Sequence, residues 1–211
     1  MTKLKFLRIP VGACAGFLLI TPVQATIIGS IYEVSSAISQ NATPANVPAG
    51  PATVTFDLPG TTINFQSPPA AYTIGAFIAS GGATITSGST HAGDSLLDTL
   101  FNFTGTVTVT NGETFSAGHD DGLTFTIGST TVINAPGPTG FVVTTQTYTG
   151  PSGNFPFQLV YGECCGAPAD LEISGLALVS VPEPRTAVPI SIVLLVMGFV
   201  LRRRFAKTVS W

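Results

Sequence analysis

Between residues 26 and 180 the chain has no lysine and no arginine. All eight basic residues, Lys3, Lys5, Arg8, Arg185, Arg202, Arg203, Arg204 and Lys207, lie outside that interval. Gripping nucleic acid requires cationic side chains set against phosphates, so nucleic-acid binding is excluded and phosphate chemistry is disfavoured. The interval does hold acidic residues: Glu33, Asp57, Asp94, Asp98, Glu113, Asp120, Asp121, Glu163, Asp170 and Glu172. None of these can pair with a Lys or Arg of the same stretch, so a buried carboxylate there needs hydrogen bonds or a cation from elsewhere. Histidine is scarce, with only His91 and His119, and no pair stands at helical spacing to hold zinc. No Gly-x-Ser-x-Gly elbow occurs, so a serine nucleophile has no positioned frame, and the expectation is a protein that is not an enzyme. Cysteine is limited to Cys14, Cys164 and Cys165. The longest apolar runs stand at the ends, and both fall short of the roughly 20 residues that span a bilayer comfortably.

The two ends nevertheless have a definite grammar. Residues 1–8 carry Lys3, Lys5 and Arg8, residues 9–20 are apolar, and Val23 and Ala25 are small residues in the −3 and −1 positions. That order predicts a secretory signal peptide over residues 1–25, cleaved after Ala25. At the other end stand Pro182-Glu183-Pro184, an apolar stretch over residues 187–201, and Arg202-Arg203-Arg204. An apolar stretch followed by a basic cluster predicts a single transmembrane helix with its basic end in the cytoplasm. Snorkelling arginines help so short a stretch to span. The region 181–211 resembles the PEP-CTERM sorting tail of exported bacterial proteins. The resemblance implies recognition of Pro182-Glu183-Pro184 by a membrane-bound exosortase, which cuts near the motif. It also implies a Gram-negative cell that makes an exopolysaccharide matrix, with the body delivered to the cell surface or extracellular matrix.

The body, residues 26–180, is the size of one domain with room for a real core. Short alternating stretches separated by Gly and Pro turns at roughly ten-residue spacing predict an all-β fold, an antiparallel β-sandwich. Residues 26–52 read as an edge strand and an irregular loop. Residues 53–58 and 61–65 read as a hairpin about Pro59-Gly60, and residues 72–79 as an apolar segment. Asp94 is expected to cap one helical turn that points Leu96 and Leu97 inward, with His91 in a surface loop. Residues 100–110 form the long strand of the sandwich, with Phe101 and Phe103 in the core and Gly105 as a bulge. Asn111-Gly112 predicts a two-residue hairpin. Further strands are expected over 130–133, 141–149, 155–161 and 171–179.

The chemistry concentrates at His119-Asp120-Asp121-Gly122. Residues adjacent in a strand point to opposite faces, so the two carboxylates converge only where the chain turns, and Gly122 eases a turn. Two converging carboxylates repel each other, and one tends to keep its proton. Ca²⁺, a hard ion that takes six to eight oxygens, makes the same pair favourable. The other reading is a solvated Asp-Asp-Gly turn. Cys164 and Cys165 are adjacent, and three states are open: a vicinal disulfide, two free thiols, or pairing between molecules.

The run 115–128, then Val132-Ile133, then residues 155–163 ending in Tyr161-Gly162-Glu163, resembles the protective-antigen (PA-fourteen) β-sandwich domain over about residues 100–178. In the lectin-like adhesins of that family an Asp-Asp pair across a cis peptide holds a Ca²⁺ that coordinates sugar hydroxyls. The resemblance implies Asp120 and Asp121 as calcium ligands, with Glu163 as a third candidate. His119, Gly122, Cys164 and Cys165 are the candidate ligand-contacting residues, a Cys164–Cys165 ring being one surface on which a sugar could stack. The expected function is calcium-dependent binding of extracellular polysaccharide or another glycan. The alternative is a structural matrix protein with no specific ligand.

Overall fold

A computed structural model describes residues 26–179. The expected signal peptide and its cleavage site, the Pro182-Glu183-Pro184 motif, the transmembrane stretch and the arginine cluster all lie outside the described residues. Among the described residues no helix is long and apolar enough to cross a membrane.

In chain order the elements are β1 (Thr26–Glu33), α1 (Ser36–Ser39), β2 (Val54–Pro59), β3 (Ile63–Ser67), α2 (Ile74–Ser80), β4 (Thr84–Ser87), β5 (Thr99–Val109), β6 (Thr114–Asp120), β7 (Gly122–Ile127), β8 (Thr130–Ala135), β9 (Val142–Thr147), β10 (Gly153–Glu163), β11 (Ala169–Ser174) and β12 (Ala177–Leu178). They build two sheets, with every pairing between neighbours antiparallel. The larger runs β4-β2-β1-β5-β10-β7-β8, with β12 added against β5, and the smaller runs β3-β11-β6-β9. This is the β-sandwich that strand spacing predicts.

Alternation explains how the sheets close on each other. Along β6, Phe115 and Ala117 turn into the core while Ser116, Gly118 and Asp120 turn out, and on β11 Leu171 and Ile173 turn in while Asp170 and Glu172 turn out. From the larger sheet come Phe56, Phe101, Phe103 and Phe125, and from the smaller Phe65 and Phe115, all fully buried. Phe77 on α2 stacks on Phe65 at 5.2 Å and lies 5.2 Å from Phe101. Each such side chain contributes about 1.5–3 kcal/mol through burial. The apolar segment around residues 72–79 is thus a helix lying on the core, its first turn capped by the Thr73 hydroxyl, which accepts from the Ala76 N–H.

Five local expectations are corrected. Residues 53–58 and 61–65 form no hairpin, because β2 joins the larger sheet and β3 the smaller. Asn111-Gly112 likewise carries the chain from β5 in one sheet to β6 in the other, with Gly112 at φ 87°. Strand β1 is no edge, since β2 and β5 flank it. Gly105 makes no bulge. It pairs in unbroken register with Phe157, and an added Cβ would fall 2.6 Å from that ring. Asp94 caps no helix. Its carboxylate meets His91 Nδ1 at 2.7 Å, and of the two leucines Leu96 is buried while Leu97 is exposed.

Candidate functional site

Asp120 ends β6 and Gly122 begins β7, so Asp121 is the single residue that links the smaller sheet to the larger. The Asp120–Asp121 peptide is cis. Both aspartates line an open cleft of about 400 Å³, together with Pro138, Thr139, Gly140, Cys165, Gly166, Ala167 and Pro168.

Gly122 is needed here for close approach. A Cβ on it would stand 2.3 Å from the Pro136 carbonyl oxygen and 2.6 Å from that of Gly137. The bare backbone therefore lets the 136–140 loop settle onto the Asp-Asp link, where the Pro136 carbonyl also accepts from the Ala42 N–H at 3.0 Å. Seated there, the loop aims its N–H groups at the carboxylates. Thr139 N–H donates to Asp121 Oδ1 at 3.2 Å, and the Phe141 N–H lies on the side of the Asp120 carboxylate and favours its charged form. From the opposite side the Cys164 N–H donates to Asp121 Oδ2 at 2.9 Å.

These donors only partly offset the cost of burial. Asp120 is pushed above the ordinary carboxylate range by desolvation and then by the charge of Asp121, with the Phe141 N–H pulling the other way. Asp121 is raised by desolvation against the N–H groups of Cys164 and Thr139. A third carboxyl that sequence reasoning missed stands beside them. Asp170 on β11 is the register partner of Asp120 on β6 and shares its outward face. It too is raised, by desolvation and by Glu172, and its Oδ1 is buried without a hydrogen-bond partner. An orphaned carboxylate oxygen costs about 1–3 kcal/mol or more. Among the described residues there is no Lys or Arg to satisfy it. The carboxylate oxygens of Asp120 and Asp121 are of the donor type that a hard divalent cation takes, and Asp170 adds negative charge beside them.

Other candidates have different places. Glu163 is fully buried and does not line the cleft, so it is corrected from calcium ligand to internal support. Its carboxyl accepts from the Tyr72 hydroxyl and contacts the Tyr161 hydroxyl, which also meets the Asp120 carbonyl. A phenol has one hydrogen, and a carbonyl can only accept. The Tyr161 hydrogen is therefore shared between the Asp120 carbonyl and the Glu163 carboxyl. The Glu163 carboxyl is pushed up to about 8, desolvation outweighing the two tyrosine hydrogen bonds. His119 is buried beneath the turn, with Nδ1–H donating to the Asp121 carbonyl and Nε2 at 2.9 Å from the Thr144 hydroxyl. Both nitrogens are thus engaged in holding the turn, and His119 is a positioning residue. Cys164 and Cys165 form a disulfide, with Cys164 buried and Cys165, at φ 64°, exposed on the cleft wall.

Among solved structures, the chain is similar to the PA14 sugar-binding domain from an RTX adhesin, with a TM-score of 0.53 and 20% identity over 74% of this chain and 95% of that one. It is also similar to the PA14 domain of the MpAFP antifreeze protein, with a TM-score of 0.54 and 17% identity over 84% of this chain and 93% of that one. At such identities the likeness establishes the fold, a PA14-like sandwich. No protein-family model and no curated protein matches the chain.

Proposed function

We propose that the body is a calcium-dependent carbohydrate-binding module serving adhesion at the cell surface or in the extracellular matrix, and that it binds without turning its ligand over. The observation that carries the reading is the pair of carboxyls lining one open cleft, Asp120 and Asp121, with the orphaned Asp170 as the register neighbour of Asp120 and no Lys or Arg among the described residues. Asp120 and Asp121 would hold Ca²⁺. Bound there, the ion would offer open positions to neighbouring sugar hydroxyls. The PA14 fold shared with an adhesin's sugar-binding domain supports the same reading. The ends of the chain extend it to export, sorting by an exosortase-type enzyme and a transient membrane anchor before release into a Gram-negative cell's surface layer. The reading in reserve is a structural protein of the exopolysaccharide layer with a water-filled cleft.

Calcium titration followed by calorimetry and thermal unfolding separates the two. A ligand that binds only the folded state adds about 2.7 kcal/mol of stability at a hundred times its Kd, a rise of several degrees in melting temperature. The wild type should show that rise, and Asp120→Asn/Asp121→Asn should not. Equal melting of the wild type in chelator and in millimolar calcium would leave only the structural reading.

A further inference from the structure

Four strands stand at the ends of the two sheets, and three of them are blunted. β3 is covered by α2, whose Ser80 Oγ accepts from the Gln66 N–H at 2.9 Å. β4 has only four residues and meets β2 across a break in register at Thr55/Phe56. β8 meets β7 across another, at Phe125/Thr126. Short length, bulges and covering elements keep a sheet edge from pairing with other chains. β9 uses none of them. Its six residues pair with β6 in unbroken register and include no proline and no charge. Val142 and Val143 point to opposite faces and are 40% and 62% exposed, so the strand overhangs the sandwich. The Tyr148 N–H donates to the Glu113 carbonyl at 2.8 Å, and the direction of the backbone groups alternates from there. Val142, Thr144 and Gln146 therefore turn theirs to β6, and Val143, Thr145 and Thr147 turn theirs to the free edge. The side chains agree. Thr145 Oγ1 lies 2.7 Å from Ser116 Oγ, the closer approach of a pair without backbone bonds between them.

No strand among the described residues pairs with that edge, and charge decides what can cover it. Residues 26–180 carry acidic side chains and no Lys or Arg, so two copies repel wherever their charged surfaces meet. Residues 122–162, with β9 in their midst, contain no Asp, Glu, Lys, Arg or His. We infer that β9 is a self-association edge, which pairs antiparallel with β9 of a second copy about a twofold axis at Thr145. Such an axis sets Thr145 opposite itself and Val143 opposite Thr147 of the second copy. All three free residues then gain their backbone bonds, and every side chain facing across those pairs is β-branched. Any other centre within β9 leaves at least one of the three facing a residue outside the strand. At a strand spacing of about 4.8 Å the two β6 strands stand about 14 Å apart, so salt screens the acids of one from those of the other. The axis is perpendicular to the joined sheet, so both outward faces point the same way. Gly140, which lines the cleft, is five residues from the axis in each copy, which sets the two clefts about 34 Å apart. Such spacing presents two sites to one extended ligand, although the pairing itself is independent of what the clefts bind.

The test is sedimentation of the whole protein over a range of concentrations, in chelator so that no metal bridges the copies. The wild type should pass from monomer to dimer as concentration rises. Thr145→Glu and Thr145→Lys each set like charges against each other at the axis, and each alone should weaken association by about tenfold or more. An equimolar mixture of the two should dimerise, because unlike charges then meet, and that rescue also shows that both variants fold. Amide exchange gives a second readout on the wild type. The Val143, Thr145 and Thr147 amides should exchange more slowly as concentration rises, while those of Val142, Thr144 and Gln146 stay protected by β6 throughout. A wild type that remains monomeric, with exchange at the three edge amides independent of concentration, overturns the proposal. So does association that neither charge weakens, which puts the interface elsewhere on the chain. A mixture that stays monomeric overturns the axis at Thr145.

Discussion

Replacing Glu163 by glutamine probes the buried support under the cleft through a signal that packing alone would not give. In the folded protein the Glu163 carboxyl is raised from its ordinary 4.5 to about 8, chiefly because burial penalises the charged form. Between those values the folded state keeps a proton that the unfolded chain has released. Stability must therefore fall as pH rises through that window. Below pH 4.5 the group is protonated in both states and contributes no slope, and above about 8 the loss is complete. At 1.36 kcal/mol per pH unit, a displacement of about 3.5 units amounts to roughly 5 kcal/mol. Relaxation around the ionised carboxyl makes that an upper figure. Glutamine stays neutral at every pH and keeps an amide N–H for the Tyr161 oxygen and a carbonyl for the Tyr72 hydroxyl. Glu163→Gln should match the wild type near pH 4.5 and exceed it near pH 8 by several kcal/mol, a difference of roughly 10 °C in melting temperature. The assay is calorimetric unfolding in chelator, so that calcium contributes nothing, from pH 4 to pH 9. Parallel profiles for the two proteins would refute the assignment of the proton to Glu163.

Two further changes follow from contacts at the turn. Gly122→Ala places a methyl group 2.3 Å from the Pro136 carbonyl oxygen, so the 136–140 loop must move. It should destabilise by about 1–3 kcal/mol and weaken calcium binding in calorimetry, whereas a wild-type melting temperature would contradict the close approach. Tyr161→Phe removes the hydroxyl shared by the Asp120 carbonyl and Glu163. It should cost about 1–3 kcal/mol in chemical denaturation, and an unchanged midpoint would show that neither group depends on it.

The strand pattern and the adjacent aspartates were legible in the sequence. Alternation and turn spacing suffice for a β-sandwich because a strand's face pattern is a local property. Asp120 and Asp121 could be singled out because adjacent carboxylates in a body with no Lys or Arg pose an electrostatic problem whatever the fold. What sequence could not decide is which sheet takes the next strand. Asn111-Gly112 and Pro59-Gly60 turn the chain equally well into a hairpin or across the sandwich, and only the packing of Phe56, Phe65, Phe103 and Phe115 between two layers selects the crossing. Once β11 lies beside β6, Asp170 stands against Asp120 across fifty residues of chain, a juxtaposition with no local signal. The same packing drew Glu163 under Tyr72 and Tyr161 and away from the cleft. Composition alone determined that no Lys or Arg of this body can neutralise its carboxylates. The tertiary structure decided which acids stand together, because register and burial are set by contacts between segments that sequence neighbours do not share.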